Sequence, residues 1–181
     1  MSSEVQADES SVRWLDEREQ ALWRGYMQMQ VRLSAQLNRS LAAECGLSDG
    51  DYAVLVCLSE APDGRLRAFE VARIIQWEKS RLSHQLTRME RRGLVERREC
   101  PSDARGAFIV ITADGSEAIR RAAPHHVDDV RRWFIDVLSD GQVDALSGIV
   151  DAVLAALGDP ALPTGCTEQL GLADDADAEV C

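Results

Sequence analysis

The chain has 181 residues, of which 45% are hydrophobic, and its 31 Asp and Glu against 20 Lys and Arg give a net charge of −11. That length suits one compact domain, or a small module joined to its own association helices, with enough chain to bury a core. No stretch reaches the roughly 18 unbroken apolar residues of a membrane span, the opening MSSEVQADESS is too acidic for a secretory leader, and Cys45, Cys57, Cys100, Cys166 and Cys181 form no Cys-x-x-Cys pair, so a soluble, cytoplasmic chain with reduced thiols is expected.

Residues 1–12 are expected to be disordered, and a first amphipathic helix is expected over 13–45. Leu22, Tyr26, Met29, Leu33, Leu37 and Leu41 recur at steps of three and four, and Trp23, Met27 and Val31 widen the stripe, so this face needs partners on two sides. Gly46 suits a left-handed cap. Ser48, with Asp51 three residues on, forms an acidic variant of a capping box that opens a second helix, and Pro62-Asp63-Gly64 closes it with a turn. Arg65-Leu66-Arg67 reads as a very short strand and Ala68–Ile75 as a short helix burying Val71, Ile74 and Ile75.

From Glu78 to Arg92 the pattern EKSRLSHQLTRMERR sets Leu82, Leu86 and Met89 on one face and Arg81, His84, Gln85, Arg88 and Arg92 on the other. A helix that is apolar on one side and rich in donors on the other has the dimensions of a major groove about 12 Å wide. Gly93 stops it. Strands are then expected over Leu94–Arg98 and Ala107–Ile111, joined by the turn-rich Cys100–Gly106. Two short helices followed by a two-stranded hairpin give a mainly α fold with a small β wing, a winged helix-turn-helix over 46–111. Charge agrees with this reading. Between Arg73 and Arg105 nine basic residues face five acidic ones, a local +4, which leaves −15 on the remainder. A basic island on an acidic molecule docks on DNA through one face, and the rest limits non-specific coating.

The residues from Trp14 to Leu157 resemble the MarR (multiple antibiotic resistance regulator) family. The likeness rests on Ser80-Arg81-Leu82-Ser83, on Met89-Glu90-Arg91-Arg92-Gly93-Leu94-Val95, on Asp103-Ala104-Arg105-Gly106 in the wing and on Ile111-Thr112-Ala113-Asp114-Gly115. Ala104 departs from the family, where a second arginine is common. The resemblance implies a DNA-binding transcription regulator, a repressor by default. Its wing residue Arg105 enters the minor groove, oriented by Asp103, and a fixed guanidinium there senses groove width. On the reading helix the candidates for DNA contact are Lys79, Ser80, Arg81, His84, Gln85, Arg88 and Arg92. Arg pairs with guanine and Gln with adenine, whereas Lys79 and Arg92 suit phosphate.

Thr112 is expected to cap a long helix to about Leu138, and Ser139–Leu157 to form a last one with Val143, Leu146, Ile149, Val150, Val153, Leu154 and Leu157 apolar. With the first helix, the span 112–157 then builds a homodimer, which predicts a pseudo-palindromic operator on double-stranded DNA with half-sites about one helical turn apart. The tail, 158–181, is acidic and is expected to be disordered. The resemblance further implies a crevice for a small aromatic effector, with Trp23, Tyr26, Met27, Met29, Tyr52 and Trp77 as candidates; at helical spacing the same side chains suit a core.

Competing chemistries are weaker. Cys100, beside Arg97 and Arg98, is the candidate for a thiol-sensing regulator. His125 and His126 are adjacent and cannot jointly clamp an ion, so no metal or cofactor is expected. No Gly-x-Ser-x-Gly, Gly-x-x-x-x-Gly-Lys or His-Glu-x-x-His occurs, so an enzyme is not expected. The remaining alternative is a winged-helix adaptor whose basic helix docks on an acidic protein.

Overall fold

The computed structural model describes residues 12–100 and 103–158, with side chains for 12–98 and 107–158. The expectations for residues 1–11, for the tail from 159 onward, and for the side chains of Cys100, Asp103 and Arg105 lie outside these. The chain divides into two compact units between Ala35 and Gln36.

The first unit holds most of helix α1 (Glu17–Ser40). The helix starts later than its apolar periodicity predicts because Asp16 caps it: the Glu19 amide donates to Asp16 Oδ1 at 2.8 Å and the Asp16 amide to Glu19 Oε2 at 2.9 Å. The apolar side chains Leu22, Trp23, Tyr26, Met27, Met29 and Val31 are exposed.

In the second unit α1 passes into a π turn, Leu41–Cys45, ended by Gly46 at φ 65°. The left-handed backbone is the reason for glycine at this position. Ser48 caps α2 (Asp49–Glu60) through the expected reciprocal box with Asp51. A 3-10 turn (Pro62–Gly64) leads to β1 (Arg65–Arg67), α3 (Ala68–Ile74) and α4 (Lys79–Arg91). Strands β2 (Val95–Cys100) and β3 (Asp103–Ile111) follow, then α5 (Ala113–Val130), a π turn (Arg131–Ile135) and α6 (Asp140–Leu157).

Two details of the wing differ from expectation. The sheet has three antiparallel strands in the order β1-β3-β2, since Arg65, Leu66 and Arg67 pair with Val110, Ile109 and Phe108. The expected seven-residue turn is also shorter. The ladder continues through Glu99 opposite Ala107 to Cys100 opposite Asp103, with a register shift of three residues on the β3 side between Glu99 and Cys100.

The core of the second unit is built from Leu47, Val54, Leu55 and Leu58 on and before α2, Val71 on α3, Leu82, Leu86 and Met89 on α4, and Ile109 on β3, with Ile119 and Ala122 of α5 closing it. Thr112 links the wing to α5. Its hydroxyl donates to Gly93 O at 2.6 Å and accepts from the Gly115 amide at 3.0 Å. By contrast α6 has no buried residue, and Ile149, Val150, Val153, Leu154 and Leu157 are all exposed. No helix among the described residues is long and apolar enough to cross a membrane.

Candidate nucleic-acid interface

Helix α4 is held at its C-terminus by a Schellman motif. Gly93, at φ 71°, donates its amide to Glu90 O at 2.9 Å, and the Leu94 amide donates to Met89 O at 3.0 Å. These bonds satisfy the last carbonyls and turn the chain directly into β2. Leu82, Leu86 and Met89 are buried against the core, so the orientation of the helix about its own axis is determined by packing. Ser80, Arg81, His84, Arg88 and Arg91 are exposed on the other side, and Lys79 is exposed in the first turn of the helix, on the side of Leu86.

Two of the expected contact residues are placed differently. Gln85 is 2% exposed, on the core side of α4. At about 100° per residue it falls roughly 60° from Leu82 and beside Met89, on the flank of the buried stripe and not opposite it. Its Nε2 donates to Asp51 Oδ1 at 2.7 Å, and its Oε1 accepts from Arg88 Nη2. Arg92, expected at phosphate, instead ties α4 to the start of α2. Its Nη1 donates to Asp51 Oδ2 at 2.6 Å and its Nη2 to Gly46 O at 2.7 Å.

Asp51 is thus the hub of a polar cluster inside the module. It is 3% exposed, and its carboxylate accepts from Gln85, from Arg92 and from the Ser48 amide at 2.9 Å. Buried carboxylates persist where their lone pairs are satisfied in this way. The capping-box spacing gave Asp51 one of these bonds and offered no signal for the other two, which come from residues 34 and 41 positions away.

Arg81 lies over the half-buried Trp77 ring, Cζ 3.9 Å from the centroid. Arg97 of β2 bridges wing and helix, 3.5 Å from Glu90 and with Nη2 donating to Ser83 O at 3.5 Å. Arg65 and Arg67 of β1 both stack on Phe108, at 5.3 and 4.7 Å. Several cations of the module therefore have orientations set by rings or carboxylates.

The six residues expected to line an effector crevice are divided between the units: Trp23, Tyr26, Met27 and Met29 belong to the first, Tyr52 and Trp77 to the second. Trp77 lines an open groove of about 570 Å³ between α3, α4 and β2, with Phe69, Leu82 and Arg97. Tyr52 packs on His126 of α5, the ring centroids 4.4 Å apart. Burial pushes the Tyr52 hydroxyl up and the His126 imidazole down, the latter against opposite pulls from Asp129 and Asp49. Burial also raises the Cys45 thiol, with Glu44 adding to it, which works against a reactive thiolate there. Among the described residues no three His, Cys, Asp or Glu come together as a metal site.

Residues 47–106, the span from α2 to the wing, match the model of the MarR family. The chain is 43% identical to AbsC, a MarR family transcriptional regulator from Streptomyces coelicolor, over 80% of this chain and 97% of that one, with a TM-score of 0.75. The chain belongs to the MarR family. Its likeness to Sco3205, a MarR family regulator from the same organism solved in complex with DNA, is 40% identity over 81% of this chain and 95% of that one, with a TM-score of 0.76. Among curated proteins, the transcriptional regulator HosA of Escherichia coli O111:H- is 31% identical over 110 residues, 61% of this chain and 79% of that protein. As a MarR-family winged helix-turn-helix, the molecule has its net positive element in α4, where Lys79, Arg81, Arg88 and Arg91 stand against Glu90 alone, while the sequence of the β2–β3 hairpin balances Arg97, Arg98 and Arg105 with Glu96, Glu99 and Asp103.

Proposed function

We propose that this MarR-family protein binds duplex DNA as a homodimer and controls transcription, with α4 in the major groove and the wing at the minor groove. The observation that carries the reading is the four exposed cations Lys79, Arg81, Arg88 and Arg91 on one helix of a chain whose net charge is −11. A cationic helix in so acidic a molecule fits a phosphate-lined groove, where each neutralised phosphate releases counterions. Sco3205 was solved with DNA, and its likeness extends over 95% of its length.

Residues 46–111 form the reading module in this proposal. Residues 13–45 and 112–157 supply the dimer, since the apolar residues of α1 and α6 noted above are exposed in a single chain and a second copy would bury them. Two reading helices then require a pseudo-palindromic operator. Lys79, Ser80, Arg81, His84 and Arg88 meet the major groove, and Arg105, oriented by Asp103, meets the minor groove. Occupancy of the operator represses, and a small aromatic ligand relieves it; this part is carried by the family alone.

Selection of bound sequences from a random duplex library at near-physiological salt tests the proposal without knowledge of the ligand. A two-fold symmetric motif is expected, bound far more tightly than random duplex and weakened steeply by salt. Weak, sequence-blind binding at all salt concentrations refutes it and points to a protein partner.

A further inference from the structure

We infer that Gln85 and Asp51 are specificity-determining positioning residues, which never touch DNA but hold Arg88 in the conformation that reads its base. The inference rests on the DNA-reading proposal and adds a role for two buried residues which that proposal leaves unused.

A buried glutamine on a reading helix needs partners for both ends of its amide, and here it has one for each. Nε2 donates to Asp51 Oδ1 at 2.7 Å, which fixes the amide with its oxygen toward Arg88, and Arg88 Nη2 donates to that oxygen. Without this acceptor the Arg88 side chain, exposed on α4, has many rotamers to lose on binding. Paired reading of guanine requires the guanidinium plane to be held edge-on to the base, and a donor–acceptor chain from a rigid carboxylate does this before DNA arrives.

Asp51 is itself immobile. It accepts from the Ser48 amide at 2.9 Å and from Arg92 Nη1 at 2.6 Å, and Arg92 is anchored on Gly46 O. Space fixes the amide as well. A methyl group on Gly50 would lie 3.1 Å from Gln85 Cδ, so α2 and the Gln85 amide are already in close contact. The order of contacts is therefore backbone cap, carboxylate, amide, guanidinium, with the carboxylate and the amide buried and Arg88 exposed.

The experiment compares library-selected motifs of the wild type, Arg88→Ala, Gln85→Met and the double exchange Asp51→Asn with Gln85→Glu. Arg88→Ala locates the base pair that Arg88 reads. Gln85→Met keeps volume but removes the acceptor, and about a tenfold loss of discrimination is expected at that same base pair, with affinity for random duplex and its salt dependence unchanged. The double exchange reverses the direction of the Asp51–Gln85 bond, preserves net charge and restores an acceptor for Arg88, so discrimination is expected to return. Helical circular dichroism and the thermal midpoint of each variant exclude simple unfolding.

A wild-type motif that persists unchanged in folded Gln85→Met overturns the inference, as does an unaltered motif in Arg88→Ala. So does a Gln85→Met loss spread evenly over all positions, or one that the double exchange does not repair. Absence of any motif in the wild type is a different failure, that of the DNA-reading proposal.

Discussion

The guanidinium of Arg81 rests on the indole of Trp77, four residues earlier in the link between α3 and α4, with 3.9 Å between Cζ and the ring centroid. The ring is half-buried and the arginine exposed, so the contact holds the stem of Arg81 while leaving its outer nitrogens available.

Replacing Trp77 with leucine keeps apolar volume and removes the ring. Affinity for the selected operator is expected to fall by about 0.5–1 kcal/mol, the worth of a partly exposed cation–ring contact. Titration of Trp77→Leu against operator and random duplex checks it; equal affinity to wild type would show that the stack does not prepare Arg81.

Two buried glycines of the module should respond differently to alanine. A Cβ on Gly50 would sit 3.1 Å from Gln85 Cδ and 2.8 Å from the far edge of the Trp77 ring, a side-chain atom that can shift. A Cβ on Gly115 would sit 2.1 Å from the Leu94 carbonyl oxygen, which is backbone held in the turn into β2. Denaturant unfolding is expected to show Gly50→Ala destabilised by about 1–3 kcal/mol and Gly115→Ala by more. The reverse order would contradict the packing described.

His126 titrates between α2 and α5, where it faces Tyr52 and Asp49 of one helix and Asp129 of its own. Its Nδ1 is buried without a hydrogen-bond partner, and burial lowers its pKa below the ordinary value near 6.5. The unfolded chain therefore takes up this proton more readily than the folded one. Stability is complete above about pH 6.5 and is lost as pH falls from there through the folded value. His126→Phe, which can still pack on Tyr52, is expected to lose less stability than wild type between about pH 7.5 and 5. Parallel unfolding midpoints for the two proteins across that range would refute the assignment.

Helix α6 exposes Val150 at 45% and Leu154 at 56% on adjacent turns. In the proposed dimer both are covered, and charges there would be buried without partners. Val150→Asp with Leu154→Asp is expected to give a monomer by sedimentation and to lose operator binding, with the winged module still folded. A dimer that survives this pair of changes places the association surface elsewhere.

Much of this molecule was legible one segment at a time. The leucine and methionine spacing of α4, its arrest at Gly93, the Ser48–Asp51 box and the Thr112 cap are local, because each depends on residues within about one helical turn. Their order led to the winged helix-turn-helix and to the family. Tertiary structure alone decided the side of α4 on which Gln85 lies, the partners of Asp51 and Arg92, and the recruitment of β1 as a third strand. Periodicity places Gln85 at the border between the buried and exposed faces of its helix, and a border residue goes wherever its amide finds partners. The partner that draws it inward, Asp51, is supplied by α2, 34 residues earlier in the chain, and only folding brings the two together.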